Sequence, residues 1–510
     1  MDSHPEFKRG INKSTLLLLS VFVIATCGLI YELIAGTLAS YLLGDSVTQF
    51  STIIGTYLFA MGIGSYLSRY VHRNLTLWFI KIELMVGLVG GFSSILLFVL
   101  FEQVVYFRLI LYALVGLTGI LIGLEIPILM RMLKDKFEFK DLVSEIFTFD
   151  YIGALMASLI FPLLFVPHVG LIRTSLFFGI INTAVALWVI YSFRNQVYWI
   201  KSILTIAWSI LILLVVSFVY ADTIQQYSES LAFQDKVILS KSSPYQRIVV
   251  TNNKKELRLF LNGNLQFSTL DEYRYHEALV HPLLSNIQKK DTIVIMGGGD
   301  GLAIRELLKY PEIKKIYLID LDKEVTRLFK THPALSKLNQ QSLSDPRVEI
   351  KNEDAFIWAM NQTQKYQAII IDFPDPSNYS LGKLYSYSFY KRIYELLQPE
   401  GAIVIQSTSP YYAPNSFWCV NNTLTYTGFH TLPYHTYIPS FGEWGYIIAY
   451  KHSFNQRTPY PSNLKFINKE LFIQMTYFPK DMEARHTEVN KLNNQALVHY
   501  FDEEWSKFIP

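Results

Sequence analysis

The sequence predicts a multi-pass α-helical membrane domain, then a small antiparallel β subdomain, then an α/β domain. Three observations predict this order. Residues 14 to about 220 are nearly continuous apolar segments, and short β-like runs begin near Lys236. From Thr292 onwards, apolar strands alternate with helical patterns, which is typical of a parallel sheet covered by helices. The expected domains are 1–221 (membrane), 222–290 (linker and small β subdomain) and 291–510 (α/β domain with a C-terminal extension).

Seven segments of the first half are long enough to span a bilayer, for which about 20 apolar residues suffice. The chain is 51% hydrophobic and its mean hydropathy is +0.24, which is unusual for a soluble enzyme. The first segment is too long for a signal peptide and further segments follow it. The predicted spans lie at roughly 14–43, 48–71, 76–101, 104–131, 146–168, 170–193 and 199–221.

Charge and cysteine content exclude several classes of function. The net charge of +3 is too small to indicate a nucleic-acid partner, and no basic block interleaves with aromatic residues. Cys27 and Cys419 are the two cysteines of the sequence, so we expect no disulfide framework. Neither has the spacing of a metal ligand, and no metal site is predicted.

The region before the α/β domain contains a hairpin pattern. Runs at Ile248–Thr251 and Leu257–Leu261 have the composition of strands, and Asn262-Gly263 is a strong turn sequence. We therefore predict a small antiparallel sheet at this point.

A glycine-rich turn, Gly297-Gly-Gly-Asp-Gly301, follows the first strand of the predicted α/β domain. Such a turn lets the backbone approach a nucleotide, as in a Rossmann-like, methyltransferase-type fold. The acid inside the turn, Asp300, favours a cationic group on the ligand. About twenty residues further along the chain, Asp320 lies at the end of a second predicted strand. A carboxylate at this position accepts hydrogen bonds from the hydroxyl groups of a ribose. Together these residues indicate an adenosine-type ligand with a positive charge.

Further polar residues follow the later strands. Ligands of parallel sheets bind beyond the carboxyl ends of the strands, so residues at these ends are candidates for a common site. Besides Asp300 and Asp320, they are Glu353, Asp354, Asp372, Asp375 and Gln406.

The strongest of these motifs is Ile371-Asp-Phe-Pro-Asp-Pro376. Its two carboxylates lie three residues apart on a loop held by prolines, so both can face one pocket. Such a pair can bind an alkylammonium group and take its proton. Two Asx turns that shape the loop are the alternative. The position opposite Asp300 favours the catalytic role.

From about Tyr245 onwards, these motifs together resemble those of the spermidine synthases, or polyamine aminopropyltransferases. The first half resembles the membrane-embedded region that is fused to this domain in some bacterial members. The residues that carry this second resemblance are Cys27-Gly-Leu-Ile-Tyr-Glu-Leu-Ile-Ala-Gly36 and Gly44-Asp-Ser-Val-Thr48.

The resemblance implies a role for each matching residue. Asp372 would be the proton acceptor. The polyamine would be bound by Tyr275, His276, Asp300 and Asp375, with Trp444 as an aromatic wall in a loop, Ile438–Gly445, over the amine. The thioadenosine portion would be bound by Gln246, Gln266, Gly297, Gly299, Asp320, Asp354 and Ala355.

Some positions depart from the family pattern. Asp320 stands where glutamate is usual, and Asp354-Ala355 replaces the usual Asp-Gly. Phe373 and Pro374 separate the two acids in place of small polar residues, and the segment after Pro376 lacks the usual Gly-Pro. These departures affect the cover of the adenosine and the shape of the amine channel.

The leading hypothesis is aminopropyl transfer from decarboxylated S-adenosylmethionine, a cosubstrate, to putrescine, with no cofactor. Two alternatives remain at this point. A methyltransferase would use intact S-adenosylmethionine in the same fold, and a membrane transporter or sensor for polyamines would bind them without turnover. The second alternative depends on four carboxylates in or beside the apolar segments, Glu32, Glu83, Glu125 and Asp150, because charges at membrane depth often mark a substrate path.

The implied location is the cell membrane, with the lipid bilayer and small-molecule substrates as partners. Lysines and arginines collect on one side of the predicted spans, which indicates a cytoplasmic N-terminus. Seven spans would then place 222–510 outside the cytoplasm, whereas the nucleoside is intracellular. The side that holds the catalytic domain stays open, as does homodimer formation.

Overall fold

The computed structural model describes residues 13–508, except 44–45, 102–103, 105, 136, 198, 226–232, 234 and 452–458. The chain forms two compact units, Met1–Val237 and Ile238–Pro510. Gly44 of the predicted Gly44–Thr48 motif lies outside the described residues. The domain boundaries expected after residues 221 and 290 stay predictions.

The first unit is helical. In its described part, seven helices are long and apolar enough to cross a membrane, which is the number predicted. They are Lys13–Leu43, Ser46–Leu67, Leu75–Phe101, Phe107–Leu133, Phe139–Ile160, Leu171–Ser192 and Ile200–Val219. The fifth begins seven residues before the predicted 146, because its first turns are polar on one side while Leu142 and Ile146 are buried on the other.

Glycines let two of these helices approach to backbone contact. A Cβ on Gly64 would lie 2.1 Å from the carbonyl oxygen of Ile120, and one on Gly123 would lie 2.2 Å from that of Met61. Any larger residue would therefore separate the helices Ser46–Leu67 and Phe107–Leu133.

The second unit contains a small sheet with strand order β1-β2-β3-β4, formed by Lys236–Ser242, Arg247–Asn253, Glu256–Leu261 and Asn264–Ser268. The pairs β2–β3 and β3–β4 are antiparallel, as predicted. Asn262 and Gly263 connect β3 to β4 with φ of 51° and 81°. Positive φ at both positions is what a two-residue hairpin turn requires, so the predicted turn is confirmed.

The large sheet has the order β10-β11-β9-β8-β5-β6-β7 within the described residues. Its strands are Thr292–Gly297 (β5), Lys315–Ile319 (β6), Val348–Lys351 (β7), Tyr366–Asp372 (β8), Leu397–Gln406 (β9), His430–Ile438 (β10) and Gly442–Tyr450 (β11). Strands β5 to β9 are parallel, which confirms the predicted Rossmann-like sheet. The β10–β11 hairpin continues this sheet in antiparallel fashion.

The prediction that Ile438–Gly445 forms a loop is wrong. Ile438 ends β10 and Gly442 begins β11, so the segment is a tight hairpin turn followed by strand. The sequence did not predict β10 because Pro433 interrupts its strand-like pattern. A proline is tolerated there because β10 is the edge strand and leaves one row of N–H groups unpaired.

Helices cover both faces of the large sheet, as β5 shows. Ile293 and Ile295 pack into one apolar core, while Val294 and Met296 pack into another. The helices of this unit are Glu272–Ser285, Leu302–Leu307, Lys323–Thr331, Pro333–Leu338, Ala355–Asn361, Tyr379–Gly382, Tyr387–Leu396, Pro414–Thr427, Lys469–Met475 and Ala496–Trp505.

The last helix supports the helix Pro414–Thr427. The buried carboxylate of Glu504 accepts hydrogen bonds from the backbone N–H groups of Asn415 (2.8 Å) and Ser416 (3.0 Å). It also accepts one from the Ser416 hydroxyl (2.9 Å). A negative charge at this position satisfies unpaired donors of the first helical turn and interacts favourably with the helix dipole.

Glu504→Gln should loosen the start of the helix Pro414–Thr427. Losing a charged helix cap costs about 1–2 kcal/mol. We expect amide hydrogen exchange of this helix to become roughly 5- to 30-fold faster, measured by mass spectrometry. Glu503→Gln is the matched control, because that neighbouring side chain is 72% exposed and lies 3.9 Å from Lys507. Equal exchange rates in both variants would contradict the capping role.

Candidate active site

The predicted acids meet at the carboxyl edge of the large sheet. Asp372 is the last residue of β8 and Gln406 the last of β9. Asp320 directly follows β6, and Asp300 lies three residues after β5. Since these four strands are parallel, their ends are adjacent and the polar residues share one cleft.

The glycines of the turn after β5 let the ends of neighbouring strands approach one another closely. Gly297 pairs with Asp372 in the sheet, has a φ of 82°, and a Cβ on it would lie 2.1 Å from the Asp372 carbonyl oxygen. A Cβ on Gly299 would lie 2.6 Å from Oδ2 of Asp320. Both glycines are therefore needed to bring the strand ends together.

Asp320 is tied to the backbone on both sides. Its Oδ2 accepts from the Gly299 N–H (3.0 Å) and its Oδ1 from the Asp322 N–H (2.8 Å). Burial raises the pKa of Asp320 to about 7, with the charge of Asp322 as a further cause, while the two backbone hydrogen bonds oppose the shift. Each carboxylate oxygen keeps capacity to accept from a hydroxyl.

Gln246 lies beside this end of the cleft. Its Nε2 donates to Oδ2 of Asp322 at 2.9 Å, and Asp322 lies two residues from Asp320. Gln266 is different: its Nε2 donates to the carbonyl of Asn264 in its own strand, β4, at 3.2 Å. The structure thus brings Gln246 to the acids by a hydrogen bond but gives no such link for Gln266.

Asp354 has a partner that the sequence did not indicate. Its Oδ1 caps the helix Ala355–Asn361 by accepting from the Phe356 N–H (2.7 Å), and its Oδ2 accepts from Lys383 Nζ at 2.7 Å. Burial alone would raise its pKa, but Lys383 and the helix cap together lower it. Ala355 is the first helical residue and is buried, so the freedom of the usual glycine is not required.

Asp372 is hydrogen-bonded to Tyr275. The tyrosine hydroxyl donates to Oδ1 of Asp372 at 2.5 Å, and Asp372 is a half-buried residue. Burial raises the pKa of Asp372 to about 6; the charge of His276 and the Tyr275 hydrogen bond oppose this shift, while the charge of Asp300 adds to it. The carboxylate is thus ionised at neutral pH and ready to take a proton.

His276 is held by a buried ion pair. Arg305 binds Glu272 through two hydrogen bonds (2.9 and 2.8 Å), and Oε2 of Glu272 lies 3.0 Å from Nδ1 of His276. Burial lowers the pKa of His276, but the Glu272 hydrogen bond and charge, with Asp300 and Asp372, raise it overall. The histidine is therefore held in one orientation, within electrostatic range of the two cleft acids.

Asp375 is held by neutral donors. Thr408 Oγ1 donates to its Oδ2 at 3.2 Å, and Gln406 Nε2 approaches its Oδ1 at 3.4 Å. The Thr408 hydroxyl in turn accepts from Trp505 Nε1 at 3.3 Å. Burial raises the pKa of Asp375 to about 6. These contacts are not the Asx turns that were the alternative for this motif.

Trp444 reaches the site through a chain of aromatic rings. Its ring lies 5.3 Å from that of Phe441, which lies 6.0 Å from that of Tyr275. The turn that carries Phe441 is fixed because Asp271 accepts from the Ser440 N–H (2.7 Å) and hydroxyl (2.9 Å). The indole N–H of Trp444 is buried and has no partner among the described residues.

The cleft acids differ in what balances their charge. Across the described residues, no lysine or arginine forms a salt bridge with Asp300, Asp320, Asp372 or Asp375, whereas Asp354 pairs with Lys383. The same residues contain no group of three His, Cys, Asp or Glu side chains arranged for a metal ion. The cleft therefore provides unmatched negative charge, which favours a cationic ligand.

Several site residues were not predicted: Glu272, Arg305, Lys383, Thr408, Phe441 and Trp505. Arg305 is one that a pattern could have indicated, because a charged residue among Leu302, Ile304 and Leu307 needs a buried partner. Glu272 lies four residues before His276 on the same helix, a spacing that brings two side chains together. Lys383 and Trp505 come from distant segments, and no periodic pattern links them to their partners.

Comparison with known proteins shows the family to which this chain belongs. Residues 272–459 match the family model of the spermine/spermidine synthase domain. The chain is 49% identical to a polyamine aminopropyltransferase of Leptospira interrogans (serogroup Icterohaemorrhagiae, serovar copenhageni), over 97% of this chain and 99% of that protein. It is 50% identical to polyamine aminopropyltransferase 2 of Ralstonia nicotianae, over 96% and 98% respectively.

A solved structure of spermidine synthase in complex with the transition-state analogue AdoDATO is 26% identical and has a TM-score of 0.46, covering 48% of this chain and 88% of that one. The two full-length relatives match both the helical unit and the catalytic unit. This chain therefore belongs to the polyamine aminopropyltransferase family.

Proposed function

We propose that this chain transfers the aminopropyl group of decarboxylated S-adenosylmethionine to putrescine, giving spermidine and methylthioadenosine. The observation that carries the proposal is the Asp372 carboxylate, hydrogen-bonded to Tyr275 in a cleft with unmatched negative charge. A sulfonium nucleoside and a protonated diamine are both cations, and one acid in this cleft can act as a base.

The cosubstrate would lie along the β6 side of the cleft. Asp320 would accept from the ribose hydroxyls, because its oxygens already face the glycine turn at Gly299. Gln246 would contact the thioadenosine portion from the adjoining loop. Asp354, at the start of the helix after β7, would accept from the adenine amino group.

The diamine would lie on the β8 and β9 side. Its reacting nitrogen would be near Asp372, and Asp375 would hold the cation from the same loop. Tyr275, His276 and Trp444 would line the channel. The ring series from Trp444 to Tyr275 offers faces that attract an alkylammonium group.

The reaction needs one proton transfer and one displacement. Asp372 takes a proton from the ammonium group, which exposes the nitrogen lone pair. The neutral nitrogen attacks the carbon bound to sulfur, the new C–N bond forms as the C–S bond breaks, and the electron pair of that bond stays on sulfur. The protein contributes alignment and exclusion of water in addition to the base.

Asp300 would select the decarboxylated cosubstrate. The turn would then set this carboxylate beside the aminopropyl portion, where its charge would attract the terminal ammonium group. Intact S-adenosylmethionine would bring a second carboxylate to the same position, and the repulsion would weaken its binding.

We further propose that the helical unit lies in the cell membrane as a multi-pass domain. Its outward side chains support this proposal, because Phe59, Leu109 and Leu163 are each more than 70% exposed although they are large and apolar. Seven helices of sufficient length and hydropathy in the described residues are consistent with spans.

Asp372→Asn should abolish most turnover, because the amide cannot accept the ammonium proton. We expect kcat to fall by roughly 10²- to 10⁴-fold, measured as methylthioadenosine formed from decarboxylated S-adenosylmethionine and putrescine. Asp291→Asn is a matched control at the opposite edge of the sheet, where Asp291 pairs with Lys314 at 2.6 Å. Comparable activity of Asp372→Asn and the control would reject Asp372 as the base.

The pH profile of kcat/KM should have a steep acidic limb. Asp372 and Asp375 have pKa values of about 6 and Asp320 of about 7, each raised chiefly by burial. The proposed reaction needs all three carboxylates in the ionised form, so kcat/KM should fall as the pH decreases from 7 to 6. Because more than one proton is taken up, the logarithmic slope should exceed one. A slope of one that stays unchanged in Asp375→Asn would contradict this.

Lys383→Met should improve binding of the nucleoside. Lys383 occupies Oδ2 of Asp354, the oxygen otherwise available to the adenine amino group. Removing a partly exposed ion pair of about 1 kcal/mol should lower the KM for decarboxylated S-adenosylmethionine roughly fivefold.

Lys391→Met, an exposed lysine on the helix Tyr387–Leu396, is the control for this experiment and should leave the KM unchanged. An unchanged or higher KM in Lys383→Met would show that the lysine does not compete with the adenine.

A further inference from the structure

The helical unit contains two carboxylates that the proposed reaction does not use. Glu83, in the helix Leu75–Phe101, and Glu125, in the helix Phe107–Leu133, are both fully buried at 0% exposure. All four of their carboxylate oxygens lack a hydrogen-bond partner among the described residues. An ionised carboxylate is very unstable in such surroundings unless a cation or a proton compensates it.

The two carboxylates belong to one cluster with Tyr31. Glu125 interacts electrostatically with Glu83, and the Tyr31 side chain interacts with both. The Tyr31 hydroxyl is itself buried without a hydrogen-bond partner in the described part of the chain. Three side chains from three helices therefore carry five unpartnered oxygens among the described residues, four from carboxylates and one from the hydroxyl.

No basic side chain of the described helices neutralises this cluster. Lys81 is exposed and lies over the ring of Trp78, 5.4 Å from its centroid. Arg131 donates to three backbone carbonyls, and Arg173 pairs with Asp222 at 2.8 Å.

The other titratable groups that face the cluster carry no positive charge. They are Cys27, which interacts with both carboxylates, and Tyr57, which interacts with Glu125 and Glu32. Hence no basic side chain among the described residues compensates the pair.

The surrounding packing limits what could bind. The Tyr31 ring lies against Gly90, where a Cβ would approach it to 2.6 Å, and the Tyr57 hydroxyl donates to the Gly28 carbonyl at 2.7 Å. The cavity beside Tyr31 and Tyr57 has a volume of about 10 Å³. This cavity, which neither Glu83 nor Glu125 lines, has room for one water molecule and not for an alkylammonium chain.

We propose that Glu83 and Glu125 form a proton-binding site within the helical unit. A proton needs no volume and converts an acceptor-only carboxylate into a group that can also donate. Each proton therefore removes a buried negative charge that no described cation compensates. The site is independent of aminopropyl transfer and gives the helical unit the capacity to exchange protons.

The test is infrared spectroscopy of the full chain reconstituted in liposomes at pH 7. The wild-type spectrum minus that of Glu83→Gln/Glu125→Gln should show the carbonyl stretching band of a protonated carboxylic acid, shifted in D₂O. The single variants should each lose part of this band. Glu138→Gln is the control: its side chain is 73% exposed, so the subtraction should show no such band. Aminopropyl transfer should be unchanged in the double variant.

Three results would overturn the proposal. The first is the absence of this band from the wild-type minus double-variant spectrum, because both carboxylates would then be ionised. The second is disappearance of the wild-type band when spermidine or putrescine is added, which would make the pair a polyamine site. The third is a double variant that fails to fold, because glutamine matches the shape and neutrality of protonated glutamate.

Discussion

The close contact between the ends of β5 and β8 is the constraint on which the candidate site depends. Gly297 lies so near the Asp372 carbonyl that no side chain fits between them. This contact sets Asp372, the proposed base, beside the glycine turn that carries Asp300. The same edge then adds Asp320 from β6 and Asp375 from the loop after β8. One steric requirement thus assembles carboxylates from separate segments into a single cleft.

Electrostatic compensation differs between the two ends of that cleft. Around Asp372 and Asp375, the proposed amine end, tyrosine, threonine and glutamine donors orient the carboxylates without cancelling their charge, so the proposed ligands would supply the cations. At the proposed adenine end, Lys383 already compensates Asp354. The adenine amino group is neutral and competes poorly with an ammonium ion for one oxygen. Affinity for the nucleoside is therefore expected to come mainly from its sulfonium and ribose portions.

Local patterns predicted what depends on neighbouring residues. The parallel sheet, the Asn262-Gly263 turn and the positions of the acids at strand ends all follow from short-range periodicity and turn chemistry. The hairpin of β10 and β11 was missed because an edge strand tolerates Pro433. Lys383 was missed because its pairing joins segments 29 residues apart in the chain, and no periodicity specifies such a contact. The family resemblance, in contrast, identified residues by position and could not show their internal partners.

The hydrogen bond from Trp505 to Thr408 joins residues 97 positions apart. Thr408 has a φ of 42°, an uncommon conformation for this residue, so it depends on its neighbours to remain there. During synthesis on the ribosome, this hydrogen bond on the proposed amine side can form only after the indole has emerged. The residues of the proposed nucleoside side lie earlier in the chain. On the proposed assignment, the segments that would bind the aminopropyl donor are thus synthesised before the last segment that supports the amine side.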